Sequence, residues 1–200
     1  MENSDHQQIV EKIKSLPTST NKSLIIAISG YGGSGKSTLA AELQQQLDNA
    51  EVISSDDFII NRCAERTADW SSYDRSRLRN QVLEPASYGQ TIRYQIYDWE
   101  NNQLGKWRAV PTSKYLLIEG VSILHPDLRH FYDYAIWINC PLDIATKRGL
   151  QRDNEWGNDH DDMWNNIWMP NERDYFEKYR PDLAADTVIN ANDLSKHRAS

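Results

Sequence analysis

The 200-residue sequence predicts an α/β fold of three layers, α/β/α, around a mostly parallel five-stranded sheet, with a small lid. Two observations predict it. Short apolar, β-branched runs alternate with stretches of helical periodicity, and polar residues able to do chemistry stand just past the ends of those runs. Such alternation buries a parallel sheet between helices, and ligands then bind beyond the carboxyl ends of its strands.

The elements follow in order. Ile9, Ile13 and Leu16 recur at helical spacing behind the candidate caps Asn3 and Ser4, giving a short helix that ends before Pro17, and "PTSTNK" reads as a linker. "LIIAIS", 24–29, is the first strand, and Leu39, Leu43 and Leu47, four apart, mark the next helix. "EVIS", 51–54, is the second strand and runs into Asp56 and Asp57. Residues 61–73 have no periodicity; Leu78 and Val82 then mark a helix that Pro85 is expected to stop. Residues 91–107 alternate enough for an irregular hairpin. "YLLIEG", 115–120, and "YAIWIN", 134–139, are the third and fourth strands. Pro141 opens a helix carrying Arg148 and Arg152 on one face, 153–162 reads as an exposed polar loop, a helix covers 163–179, and "TVIN", 187–190, is the fifth strand. The expected organisation is an N-terminal helix and linker over 1–21, one domain over 22–190 with its lid at about 149–165, and a loosely held tail over 191–200.

Between the first strand and its helix lies "GYGGSGKST", residues 30–38. Gly30, four residues, then Gly35, Lys36 and Ser37 is the spacing of a phosphate-cradling loop, and strand, glycine loop, helix is the context that gives it meaning. A polyphosphate is multiply negative. Successive inward-pointing amides of Gly32, Gly33, Ser34, Gly35 and Thr38, at a helix N-terminus, form a nest for it. Lys36 reaches the outer phosphates and the Ser37 hydroxyl suits Mg²⁺. The sequence therefore predicts the fold of the P-loop NTPases, with a nucleotide polyphosphate and Mg²⁺ as ligands.

Mg²⁺ needs oxygen ligands, and transfer to an alcohol benefits from a carboxylate that takes its proton. Asp56 and Glu119, each just past a predicted strand, supply both, and Asp57 competes with Asp56 because neighbours on an extended chain point opposite ways. Arg148 and Arg152 are placed to clamp nucleotide phosphates, or else line a solvated helix face beside Asp143 and Asp153. Of the seven tryptophans and ten tyrosines, Trp70, Tyr73, Tyr97 and Trp99 fall where a flat acceptor could stack, or else pack the core as most aromatics do, while Trp156, Trp164 and Trp168 are expected to pack the lid and the following helix.

A net charge of -7 speaks against a general nucleic-acid or anionic-membrane binder, and no apolar run approaches a membrane span. The N-terminus lacks the pattern of a signal peptide, so the cytosol is the expected location. Cys63 and Cys140 read as packing residues, the five histidines form no ligand pattern, and His125 before Pro126 reads as a turn residue. The expected partner is a small-molecule acceptor; homo-oligomerisation stays open.

With these residues in hand, the chain resembles the uridine kinase and phosphoribulokinase group of P-loop kinases, over about residues 22–190. "SGYGGSGKSTLA" is similar to its phosphate loop and "VISSDDF" to its second-strand motif, which favours Asp56 over Asp57 as catalytic base and metal neighbour. "DWSSYD" resembles the segment whose leading aspartate binds acceptor hydroxyls, implying Asp69, and "IYDWE" resembles a segment that implies Tyr97 beside the acceptor. "LLIEG" implies that Glu119 organises the metal, "PLDIATKRGLQRD" resembles the lid-flanking helix and carries its arginines onto Arg148 and Arg152, and "AADTVIN" resembles the last strand. Two departures stand out: "NEWGND" lacks the group's further Arg-Gly-Arg stretch, and Asn101 and Asn102 stand where uridine kinases have a histidine. "SSDDF" and "WMPNERDYFEKYR" look as much like nicotinamide riboside kinases. The resemblance implies transfer of the ATP γ-phosphate to a hydroxyl of a nucleoside or ribose-like acceptor. The rival class is a nucleotide-dependent switch with slow hydrolysis, which would not need the acceptor segment.

Overall fold

The computed structural model describes residues 5–19, 21–60, 66–67 and 69–192. The candidate caps Asn3 and Ser4, and Cys63, lie outside these residues. The N-terminal helix α1 (Asp5–Ser15) is followed by β1 (Leu24–Gly30), α2 (Lys36–Gln46) and β2 (Ala50–Ser54). Five strands form one sheet in which every pairing is parallel: β2, β5 (Tyr115–Gly120), β1, β6 (Tyr134–Asn139), β7 (Thr187–Asn190), in that order across the sheet. β1 lies at the centre with all seven residues buried, as its unbroken apolar run requires.

Side chains alternate across the sheet and divide the core in two. Leu24, Ile26 and Ile28 pack on one face with Ile9, Ile13, Leu39 and Leu43 from α1 and α2. Ile25 and Ala27 face the other way, against Leu78, Val82, Tyr94 and Trp137. That second face is covered by α3, built from Arg75–Leu78, Arg79–Leu83 and Glu84–Ser87 without a break, and by the antiparallel hairpin of β3 (Ile92–Asp98) and β4 (Gln103–Val110). The hairpin is irregular, as expected, with a shift of register between Gln95 and Tyr97.

Pro85 does not stop α3. Proline lacks the N–H that would pair four residues back, and its ring crowds that carbonyl; the wider π turn at Arg79–Leu83, just before it, lets the helix continue. The loop expected at 153–162 is shorter too. Helix α4 (Leu142–Glu155) runs through Asp153, and the last long helix, α5, is made of Asp161–Met163, Trp164–Trp168 and Met169–Tyr179. Asp153 is buried because its carboxylate is fully used: Trp164 Nε1–H donates to it at 2.8 Å, Arg152 at 2.9 Å, and the His160 ring lies at 3.1 Å. Trp164 thus packs between α4 and α5 as expected, whereas Trp156 is 70% exposed, with the Arg152 guanidinium over its ring. Among the described residues no helix is long and apolar enough to cross a membrane.

Candidate active site

The carboxyl ends of the sheet strands open into a cavity of about 1480 Å³. One wall is the loop itself. Gly33 has a φ of +79°, and a Cβ there would lie 2.1 Å from the Ala145 carbonyl oxygen, so only glycine lets the loop turn against α4. Gly32, Gly33, Ser34, Gly35, Lys36, Ser37 and Thr38 all line the cavity. α2 begins at Lys36, so its unpaired amides and positive dipole end face the same space. Lys36 is buried, and its ammonium donates to the Tyr31 carbonyl at 2.9 Å, which folds the side chain back over the loop.

Beside the loop stand the acids. Ser54 ends β2, and its hydroxyl accepts from the Asp56 N–H at 3.3 Å, starting a single 3-10 turn, Ser55–Phe58, that turns Asp56 into the cavity. Tyr73 O–H donates to Asp56 Oδ1 at 3.0 Å. Glu119, next to last in β5, accepts from Ser54 Oγ at 2.6 Å and from Ser37 Oγ at 3.3 Å. Burial pushes the Glu119 carboxyl up, the nearby Lys36 ammonium pulls it down, and the Asp56 charge pushes it up again. Asp57 points elsewhere. Tyr94 O–H donates to its Oδ2 at 2.8 Å and in turn accepts from Arg108 at 3.0 Å, a structural chain between the 3-10 turn and the hairpin.

Arg148 and Arg152 line the cavity from α4, on the loop side. Arg152 is held by its neighbour Asp153, whose carboxyl burial would raise but whose hydrogen bonds from Trp164, Arg152 and His160 keep low. Trp70, Tyr73 and Trp99 line the cavity as well, with Ile167 and Trp168 from α5, while Trp164 of α5 lies against Gly32 of the loop and Gly149 of α4. Asp69 and Tyr97 are not among the lining residues. The Asp69 carboxylate is 3.9 Å from Arg75, and Tyr97 is buried in β3, donating to Asn102 Oδ1 with its ring edge against Trp99.

Two lining residues lay beyond sequence reasoning. Glu172 of α5 meets the Gly32 amide across 140 positions, and nothing in the local pattern of either segment announces that contact. Asp153 read as part of a polar loop; only the tryptophan eleven residues later, its hydrogen-bond donor, gave a hint.

A phosphate nest at a helix N-terminus, a lysine, and two carboxylates beyond parallel strands define a P-loop kinase. A family model described as an AAA domain matches residues 25–97, the stretch that holds the loop and Asp56. Uridine kinase of Haemophilus ducreyi is 30% identical over 145 residues, 65% of this chain and 67% of that protein. Uridine kinase of Clostridium tetani is 25% identical over 185 residues, 85% of this chain and 88% of its own length. Among solved structures, a possible uridine kinase of Bacillus stearothermophilus superposes with a TM-score of 0.71 at 23% identity, covering 92% of this chain and 96% of that one. Phosphoribulokinase of Rhodobacter spheroides gives 0.59 at 14% identity, over 86% and 71%; both share the fold. The chain belongs to the uridine kinase family, and it is a nucleotide-binding phosphotransferase with a hydroxyl acceptor.

Proposed function

We propose that this protein transfers the γ-phosphate of ATP to a hydroxyl of a nucleoside or ribose-like acceptor. One observation carries the reading: Asp56, an exposed carboxylate, shares a single cavity with Lys36, Ser37 and Glu119. In this reading Asp56 orients the acceptor hydroxyl and takes its proton, while Tyr73 fixes the carboxylate from one oxygen. The loop amides and Lys36 hold the transferred phosphoryl group, and Arg148 and Arg152 neutralise charge on the phosphates. Asp69 and Tyr97 act from behind the wall, by supporting Trp70 through Arg75 and Trp99 through their ring contact.

The Ser37 hydroxyl and Glu119 carboxylate, 3.3 Å apart, with Asp56 facing the same cavity, are the hard oxygen donors Mg²⁺ takes when phosphates and waters complete its shell. Among the described residues no cluster of three or more acidic, histidine or cysteine side chains could hold a metal alone, which fits an ion that arrives with its nucleotide. When bound, the ion would neutralise charge between the outer phosphates. The segment of about 149–165 serves as lid in this reading, and the cytosol is the proposed location.

The acceptor wall favours a second choice of substrate within the same reaction. Trp70, Tyr73 and Trp99, with Glu100 and Asp56, make an aromatic and acidic surface, suited to a flat ring that is neutral or positively charged, as in nicotinamide riboside. An ATP-consumption screen over uridine, cytidine, nicotinamide riboside, pantothenate and sugar phosphates tests both choices. Turnover with a riboside is expected. Turnover confined to phosphorylated sugars would overturn the reading.

A further inference from the structure

Glu172 has no part in the chemistry just described, yet it is 3% exposed and lines the cavity. It reaches the phosphate loop from the Met169–Tyr179 piece of α5. The Gly32 N–H donates to its Oε1 at 2.7 Å, and its Oε2 has no hydrogen-bond partner. The ring of Trp164 closes the same corner: a Cβ on Gly32 would lie 2.7 Å from that ring and 2.9 Å from Glu172 Oε1. The Gly32 amide touches the carboxylate, the Lys36 ammonium of α2 attracts its charge, and that charge opposes ionisation of the Tyr31 and Tyr73 hydroxyls.

We propose that Glu172 is a positioning residue that competes with the terminal phosphate: its carboxylate holds the Gly32 amide until a triphosphate takes that amide, and α5 reports the exchange. Lys36 is the loop residue that reaches the outer phosphates, and Glu172 is attracted to that same lysine. Two anions at one buried corner repel each other, so a triphosphate enters only when the carboxylate moves off or takes up a proton. Burial already pushes the Glu172 carboxyl up to about 7, against the pull of Lys36 and the Gly32 amide, so the proton is within reach near neutrality. A diphosphate, lacking the outermost group, leaves the corner undisturbed. The exchange gives the kinase a way to distinguish substrate nucleotide from product.

This inference rests on the triphosphate reading above, and titration without an acceptor tests it. The intact chain and its Glu172→Gln variant are titrated with Mg-ATP and Mg-ADP at pH 6 and pH 8 by calorimetry. Glutamine keeps an acceptor for the Gly32 amide but no charge. The variant is expected to bind ATP about tenfold more tightly than the parent at pH 8, within the usual range of couplings between sites. The gain should shrink at pH 6, where the parent carboxylate is protonated, and ADP should bind both alike. Glu172→Ala removes the amide contact as well and should keep the shift in ATP-to-ADP preference. Equal or weaker ATP binding by the glutamine variant at pH 8, or equal tightening of ATP and ADP, would overturn the proposal while leaving the kinase reading standing. No ATP binding by the parent would overturn both.

Discussion

The two walls of the cavity are built differently. The phosphate wall comes from seven consecutive residues, Gly32 to Thr38, that lead from a central strand into its helix, with backbone amides as its main chemical groups. The acceptor wall gathers Trp70 and Tyr73 from a loop, Trp99 from beyond β3, and Ile167 and Trp168 from α5, with side chains as its chemistry. Amides fixed by a strand and a helix are set by local sequence. Side chains converging from separate segments depend on long-range packing. A family can therefore keep the first wall, and with it the reaction, while rebuilding the second for another acceptor.

Substitutions at the two walls should separate accordingly. The largest effect is expected where they meet: Asp56→Asn should lower kcat about 10³–10⁴-fold, the upper part of what a positioned general base contributes. Calorimetry should find its ATP affinity little changed. Next, Lys36→Ala on the phosphate wall should cost about 10²–10³-fold in kcat/KM, as for the loss of a preorganised charge-stabilising donor. It should weaken ATP as well, unlike Asp56→Asn, and identical profiles for the two variants would erase the distinction between walls.

A third effect concerns stability. Glu172 has its carboxyl raised from 4.5 to about 7 in the folded protein, mainly by burial, so folding favours its protonated form. The associated stability is present below the unfolded value and is lost as pH rises through about 7, a swing of about 3 kcal/mol. Glu172→Gln should therefore melt higher than the parent at pH 8 and about equally at pH 4.5, by thermal unfolding without nucleotide. The smallest effect belongs to the acceptor wall: Tyr73→Phe removes one hydrogen bond to Asp56, worth about 1 kcal/mol, and should lower kcat about fivefold with ATP affinity unchanged.

The same contrast governs what the sequence disclosed. The central strands β5, β1 and β6 stood out as apolar runs because a strand buried on both faces must be apolar throughout, whereas β2 and β7 are edge strands with shorter, mixed patterns. The loop was readable because its function needs glycines, a lysine and a hydroxyl at fixed spacing. Asp56 and Asp57 could not be separated by alternation alone; the cap from Ser54 and the Tyr94 bond to Asp57 are tertiary facts. Pro85 misled because the π turn that accommodates it has no sequence signature. Asp69 and Tyr97 came from motif likeness; neither is among the cavity's lining residues, Asp69 lying beside Arg75 and Tyr97 against the Trp99 ring. Glu172 was invisible for a simple reason: 140 residues separate it from the amide it holds.

The most direct measurement of the central claim follows the label from terminally labelled ATP in a single turnover, with uridine or nicotinamide riboside as acceptor. The intact chain should deliver the label to the riboside hydroxyl, and Asp56→Asn should retain it as bound ATP. Label released only to water by both proteins, whatever the riboside, would contradict a kinase built around Asp56 and Lys36.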